Sequence, residues 1–195
     1  MKNYNFDAFI DRNRTESLKW DKYKGDDIIP LWVADMDFTS PDSVIEALKQ
    51  RSEHGIFGYT LPPEELYEVV MSRLQKNYGW KIKKDWLVWL PGLVSGINIA
   101  CRATGSKGDE VMTVIPAYPP FLTAPANMGR TLVTSSMISD QNKWIMDMED
   151  LRSKVTARTK LFLFCSPHNP TGRVFSKTEL SDFIEFCLEN DIIIC

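Results

Sequence analysis

Phe164-Cys165-Ser166-Pro167-His168-Asn169-Pro170-Thr171-Gly172-Arg173 is the stretch from which the fold is read. An apolar run at residues 161–164 precedes it. Ser176-Lys177-Thr178-Glu179 follows, with serine and glutamate at capping-box spacing. The order is therefore a buried strand, a rigid loop and a helix. Pro167 and Pro170 fix φ on either side of Asn169 and remove two backbone donors. A loop stiffened around one side-chain amide holds that amide for a partner. In open α/β sheets ligands bind beyond the carboxyl ends of strands, and Asn169 falls there. By itself, Asn-Pro-Thr-Gly also reads as an ordinary turn.

The same alternation extends on both sides of this loop. Strands are expected at residues 87–90, 111–115, 131–134, 160–164 and 191–195. Helices are expected between them. One carries Leu93, Val94, Ile97 and Cys101 and ends near Gly105. Another opens at Pro119 and Pro120 and ends at Gly129. A short one is capped by Asp147, and the last carries Leu180, Phe183, Ile184 and Cys187. Repeated β–α units with short connections imply an α/β fold, a mostly parallel sheet with helices on both faces.

The first forty residues read as irregular, and the apolar run at residues 28–38 carries Asp35 and Asp37, so it is expected to be extended and near a polar site. Two amphipathic helices should follow. The first has Ser40 as cap, Pro41 in its first turn, and Val44, Ile45 and Leu48 on one face, and Gly55 stops it. The second starts at Pro63 with Glu64 and Glu65 in its first turn, carries Leu66, Val69, Val70 and Leu74, and stops at Gly79.

Composition narrows the function. The 195 residues are 44% hydrophobic and 25% charged, with a net charge of −3, so nothing marks a nucleic-acid surface. No apolar run approaches the ~20 residues that span a bilayer, and the N-terminal residues lack a signal peptide's apolar core. Cys101, Cys165, Cys187 and Cys195 have no paired spacing and read as buried free thiols, consistent with a cytoplasmic protein. Cys165-x-x-His168 is half of a metal site at most, since the chain has only two histidines.

Residues 167–174 resemble the Asn-Pro-x-Gly signature of fold type I pyridoxal-phosphate enzymes, the aspartate-aminotransferase superfamily. In their longer form they are similar to the MalY/PatB-type cystathionine β-lyases, or C–S lyases. Ser17-Leu18-Lys19-Trp20-Asp21, residues 30–38, His54-Gly55-Ile56-Phe57-Gly58-Tyr59, Pro91-Gly92-Leu93-Val94 and residues 115–121 carry the same resemblance in order along the chain. It implies a homodimer binding pyridoxal 5′-phosphate and an amino-acid substrate. Residues 1–40 would be the N-terminal arm and part of a small domain, and residues 41–195 the first part of the cofactor-binding domain.

The resemblance also implies roles. Gly92, Leu93 and Val94 would bind the cofactor phosphate with helix N-terminal N–H groups. Tyr118 would stack on the pyridine ring. Asn169 would hydrogen-bond the ring oxygen, with a cis bond to Pro170. Tyr59 would reach a neighbouring subunit's cofactor phosphate, and the backbone of Ala34 would lie beside the substrate carboxylate. Without the resemblance, Tyr118 also reads as a core or surface tyrosine, and Ala34 and Asp35 as simple packing.

The Schiff-base lysine and the acid pairing with the pyridinium nitrogen are expected beyond residue 195, so no catalytic residue is assigned. Lys107, Lys160 and Lys177 lack the supporting context, and Arg173 reads as an ion-paired side chain at a helix entry. The implied activity is β-elimination from cystathionine- or cysteine-type substrates, giving a thiol, pyruvate and ammonia. A class I/II aminotransferase and a non-catalytic fragment or interaction module of this fold are the alternatives. The chain alone is expected to be inactive.

Overall fold

The computed structural model describes residues 4–195, which divide into two compact units, one running to Leu66 and one from Tyr67 to Cys195. Met1, Lys2 and Asn3, part of the stretch read for a signal peptide, lie outside the described residues. No helix among the described residues is long and apolar enough to cross a membrane.

In the first unit the residues up to 40 are largely irregular, as expected, apart from a short helix α1 (Leu18–Asp21) that the sequence reading lacks, and a longer α2 (Asp42–His54) follows. α2 begins one residue later than its sequence suggests. Pro41 is extended and takes the capping position itself, and no side chain caps the first turn. Gly55 ends the helix at φ 72°, donating its N–H to Ser52 O at 3.0 Å. Only glycine adopts that left-handed conformation freely. α3 (Glu64–Tyr78) follows. Neither α2 nor α3 has a buried residue, so the apolar stripes of Val44 and Leu48 and of Leu66 and Val69 are exposed among the described residues.

In the second unit a 3₁₀ turn (Lys84–Trp86) leads into residues 87–90, which form no strand. The stretch is apolar enough, but a strand is defined by its pairing, and these residues find no partner among those described. The remaining elements are α4 (Leu93–Ala103), β1 (Glu110–Ile115), α5 (Pro119–Asn127), β2 (Thr131–Ser136), β3 (Ile138–Asp140), β4 (Lys143–Ile145), α6 (Met148–Lys154), β5 (Thr159–Phe162), α7 (Lys177–Glu189) and β6 (Ile193–Ile194). Strands β2, β1, β5 and β6 lie in that order in one wholly parallel sheet. β3 and β4 form an antiparallel hairpin that the sequence reading lacks. Its turn places Gln141 and Asn142 at φ 44° and 66°, the left-handed pair that tight hairpins require. β6 starts later than expected because Asp191, at φ 53°, is still turning the chain out of α7.

The central strands β1 and β5 are buried on both faces, and their residues alternate, while β2 and β6 at the edges are more open. Met112, Val114 and Phe162 pack with Leu151, Phe183, Phe186 and Cys187 on one side. Val111, Leu161 and Leu163 pack with Ile97, Cys101, Phe121 and Ala124 on the other. Helices α6 and α7 thus cover one face, and α4 and α5 the other. Each large side chain so buried contributes about 1.5–3 kcal/mol. Phe183 anchors its side, edge-on to Phe162 at 4.7 Å and stacked on Phe164 at 4.8 Å. Of the cysteines, only Cys101 and Cys187 are buried. Cys165 is half-buried and Cys195 exposed, a correction to the expectation that all four lie inside.

Candidate cofactor site

The direction of α4 sets the site. Its last carbonyls are bound by a buried arginine that precedes β2. Arg130 Nη1 donates to Cys101 O at 2.6 Å and to Thr104 O, while its Nε donates to Asp109 O at 3.1 Å. Asp109 precedes β1 and Arg130 precedes β2, so the carboxyl end of α4 lies at the amino ends of the strands. Its N-terminus therefore points toward their carboxyl ends, where the chain also emerges into Tyr118 and Asn169.

That N-terminus is bare. Gly92 supplies no side-chain cap, and the first turn of α4 holds no acidic residue. By contrast, α6 is capped by Asp147 and carries Glu149 and Asp150, and α7 is capped by Ser176 and carries Glu179. The first N–H groups of a helix have no partner within it, and they carry the positive end of the dipole. A Cβ at Gly92 would meet nothing within 4 Å, so the approach to these donors is open. The site presents donors and no competing anion, the chemistry that a phosphate ester requires.

Tyr118 caps α5 where β1 ends and is half-buried, its ring edge-on to Phe121 at 6.4 Å. It packs against the same core cluster as Cys165, which opens the loop after β5. That loop is closed on itself. His168 N donates to Arg173 O at 2.8 Å, and Gly172 N to His168 O at 2.7 Å. Gly172 sits at φ 69°, and the Asn169–Pro170 and Ser166–Pro167 bonds are cis. His168 is buried beneath the loop, its Nδ1 2.9 Å from Thr171 Oγ1 and its ring against Phe175. Burial pushes its pKa down, favouring the neutral ring. Arg173 grips both carboxylate oxygens of Glu179 at 2.5 and 2.7 Å and lies over Phe175 at 5.4 Å. It is the ion-paired helix-entry residue that the sequence suggested. Asn169 is left exposed on this rigid frame. An open helix N-terminus, a half-buried aromatic ring and an exposed amide on a closed loop are groups that fit pyridoxal phosphate.

Gly92, Leu93, Val94, Tyr118 and Asn169 thus belong to one unit and face one end of its sheet. Ala34 and Tyr59 belong to the other unit. Tyr59 is wholly exposed in a segment with neither helix nor strand, and Ala34 is exposed between Asp35 and Val33. Lys107 precedes β1, and Lys160 sits beside Gly105 at the amino ends of the strands, so both stand at the end away from the site. Sequence reasoning missed His168 as the loop's buried support, and Arg130. A histidine between two prolines was the only hint of the first. Nothing local marked the second.

Residues 26–195 match the family model for aminotransferase class I and II. The chain belongs to this family. Within the class I and II aminotransferase family, it is 37% identical to cystathionine beta-lyase PatB of Bacillus subtilis, over 97% of its own length and 50% of that protein's. Its fold superposes on the crystal structure of OvoB with a TM-score of 0.92 at 42% identity, covering 98% of this chain and 51% of that one. The pyridoxal-phosphate-bound C–S lyase of Staphylococcus hominis gives a TM-score of 0.89 at 38% identity, covering 99% and 50%. The chain spans about half the length of the relatives it matches.

Proposed function

We propose that the protein carrying this chain is a pyridoxal-phosphate-dependent C–S β-lyase, cleaving cystathionine- or cysteine-type substrates to a thiol, pyruvate and ammonia. The observation that carries the reading is the convergence of a bare helix N-terminus, Tyr118 and the locked Asn169 loop at one end of the sheet, in a chain similar to C–S lyases. When bound, pyridoxal phosphate withdraws electrons from the carbon next to the substrate amine.

The residues of this chain hold and shield that group. The N–H groups of Leu93 and Val94 bind its phosphate, and the open side of Gly92 admits it. The Tyr118 ring covers one face of the pyridine and excludes water. The Asn169 amide donates to the ring oxygen from a loop too stiff to follow its motion. Tyr59, in a homodimer, donates its O–H to the cofactor phosphate of the second copy. The backbone at Ala34 borders the substrate carboxylate. Residues 1–40 serve as the arm and part of a small domain, and 41–195 as the first part of the cofactor-binding domain. The base and the pyridinium acid come, in this reading, from outside residues 1–195.

The family's aminotransferase members favour a second reading, amine transfer to a 2-oxo acid, and the products separate the two. Full-length protein with pyridoxal phosphate and cystathionine should release pyruvate and a thiol in equal amounts. With a 2-oxo acid added, conversion of that acceptor to its amino acid, with neither pyruvate nor thiol released, would establish transfer instead. Asn169→Ala should weaken cofactor binding about ten-fold, the size of one hydrogen bond to a charged group. Residues 1–195 alone should release no pyruvate.

A further inference from the structure

Residues 28–38 contain neither helix nor strand, and several of their apolar side chains face solvent, Leu31 at 87% and Met36 at 75% exposure. Apolar burial of those side chains therefore does not hold this segment, and loops of this kind are ordinarily mobile. It is held by charge instead. Asp37 accepts from Lys19 Nζ at 2.8 Å, from Trp20 Nε1 at 2.8 Å and from Arg12 Nη1 at 2.7 Å. Arg12 Nη2 pairs with the Asp35 carboxylate at 2.6 Å and donates to Ser17 Oγ at 3.1 Å. Lys19 Nζ also donates to the backbone carbonyl of Asp35 at 2.9 Å, and Arg12 Nη1 to that of Met36 at 3.4 Å.

The Lys19 side chain is only 7% exposed. Burying an ammonium is unfavourable unless it is paired and hydrogen-bonded, and here it is both. Two cations meet two carboxylates, and the bonds from Lys19, Trp20 and Arg12 hold the Asp37 carboxyl far below its ordinary value. The brace acts on the carbonyl of residue 35, one residue from Ala34.

We propose that Arg12, Lys19 and Trp20 are positioning residues, which act through Asp35 and Asp37 to hold the backbone at Ala34 in the arrangement that receives the substrate's carboxylate. This rests on the reading above, that Ala34 borders that carboxylate. None of the three touches the substrate. Each removes freedom that a substrate would otherwise have to remove on binding.

The test uses full-length protein with pyridoxal phosphate and the variants Lys19→Met and Trp20→Phe, the second removing one donor and keeping the ring. Backbone hydrogen exchange over residues 33–37 is measured with and without the cofactor, alongside kcat and KM for cystathionine. The expected result is exchange about ten-fold faster and KM about ten-fold higher, with kcat little changed and the bound-cofactor absorbance unaltered. Asp37→Glu, which keeps the acceptor, should lose less than Asp37→Ala. Unchanged exchange would show that no brace exists. Faster exchange with an unchanged KM would overturn the carboxylate role. Wild-type protein that takes up neither cofactor nor amino acid would sink the functional reading and the carboxylate role with it, while exchange would still decide the brace.

Discussion

Gly105 holds φ at +79°, and the space its missing side chain would fill is already taken. A Cβ there would lie 2.7 Å from Arg130 Nη2, 2.8 Å from Asp109 Oδ2 and 3.1 Å from Lys160 Cγ. Gly105→Ala must therefore strain the backbone and displace the guanidinium that binds the last carbonyls of α4. A loss of about 1–3 kcal/mol is expected, read as a lower midpoint in thermal or urea unfolding. The glycine was legible as a helix stop, because its conformational freedom is a local property. The crowding was not, because Arg130 arrives from 25 positions further along the sequence. His168 makes the same point. Its place beside Pro167 was visible, but its burial against Phe175 depends on how the loop folds back over it.

At the scale of elements, capping was read correctly where its chemistry is local. Ser176 and Glu179 form the full reciprocal box, with Glu179 N donating to Ser176 Oγ at 3.3 Å and Ser176 N to Glu179 Oε2 at 2.6 Å. Ser176→Ala should destabilise α7 by about 1 kcal/mol, and it should also loosen the Asn169 loop, since Glu179 is the partner of Arg173. Faster exchange confined to residues 164–189 would show both effects. Glu110, at the start of β1, could not be foreseen in this way. It is almost wholly buried and accepts from Thr156 Oγ1 at 2.6 Å, Thr159 Oγ1 at 2.8 Å and Arg158 Nη2 at 2.9 Å. Burial pushes its carboxyl up, but those bonds and the Arg158 charge outweigh it and hold the pKa below the ordinary 4.5. A depressed carboxyl stabilises the fold above the ordinary value, and that contribution is lost as pH falls through the folded one. Unfolding midpoints should therefore drop below about pH 4.5 more steeply in the wild type than in Glu110→Gln. Equal slopes would show that Glu110 does not link β1 to the 156–159 turn. The missing strand at residues 87–90 belongs to this scale too. Its apolar pattern is real, but pairing depends on a neighbour that no pattern names.

Across the whole molecule, the two faces of the sheet protect different thiols. Cys101 lies on the buried face of α4 and Cys187 on that of α7, and burial raises both thiols, Cys187 to about 12. Iodoacetamide at mild alkaline pH should leave both unmodified in the native chain and label them on unfolding, as peptide mass mapping would show. Native labelling of either would mean that the face covering it is open. The cysteine pattern alone implied four buried thiols, because exposure depends on what packs above a residue. By itself the sequence determined the α/β alternation, the capped helices, the parallel sheet and the loop around Asn169, since periodicity, caps and prolines act over a few residues. It also carried the resemblance that names the family. The tertiary structure alone decided that α4 aims its bare N-terminus at the carboxyl ends of β1 and β5. It also decided that Arg130 and His168 are supports and that Arg12, Lys19 and Trp20 converge on Asp37. The contacts of Arg130 and of Asp37 join residues 17 to 29 positions apart, and only the packing of the folded protein brings them within bonding distance, while His168 is buried by the close folding of its own loop.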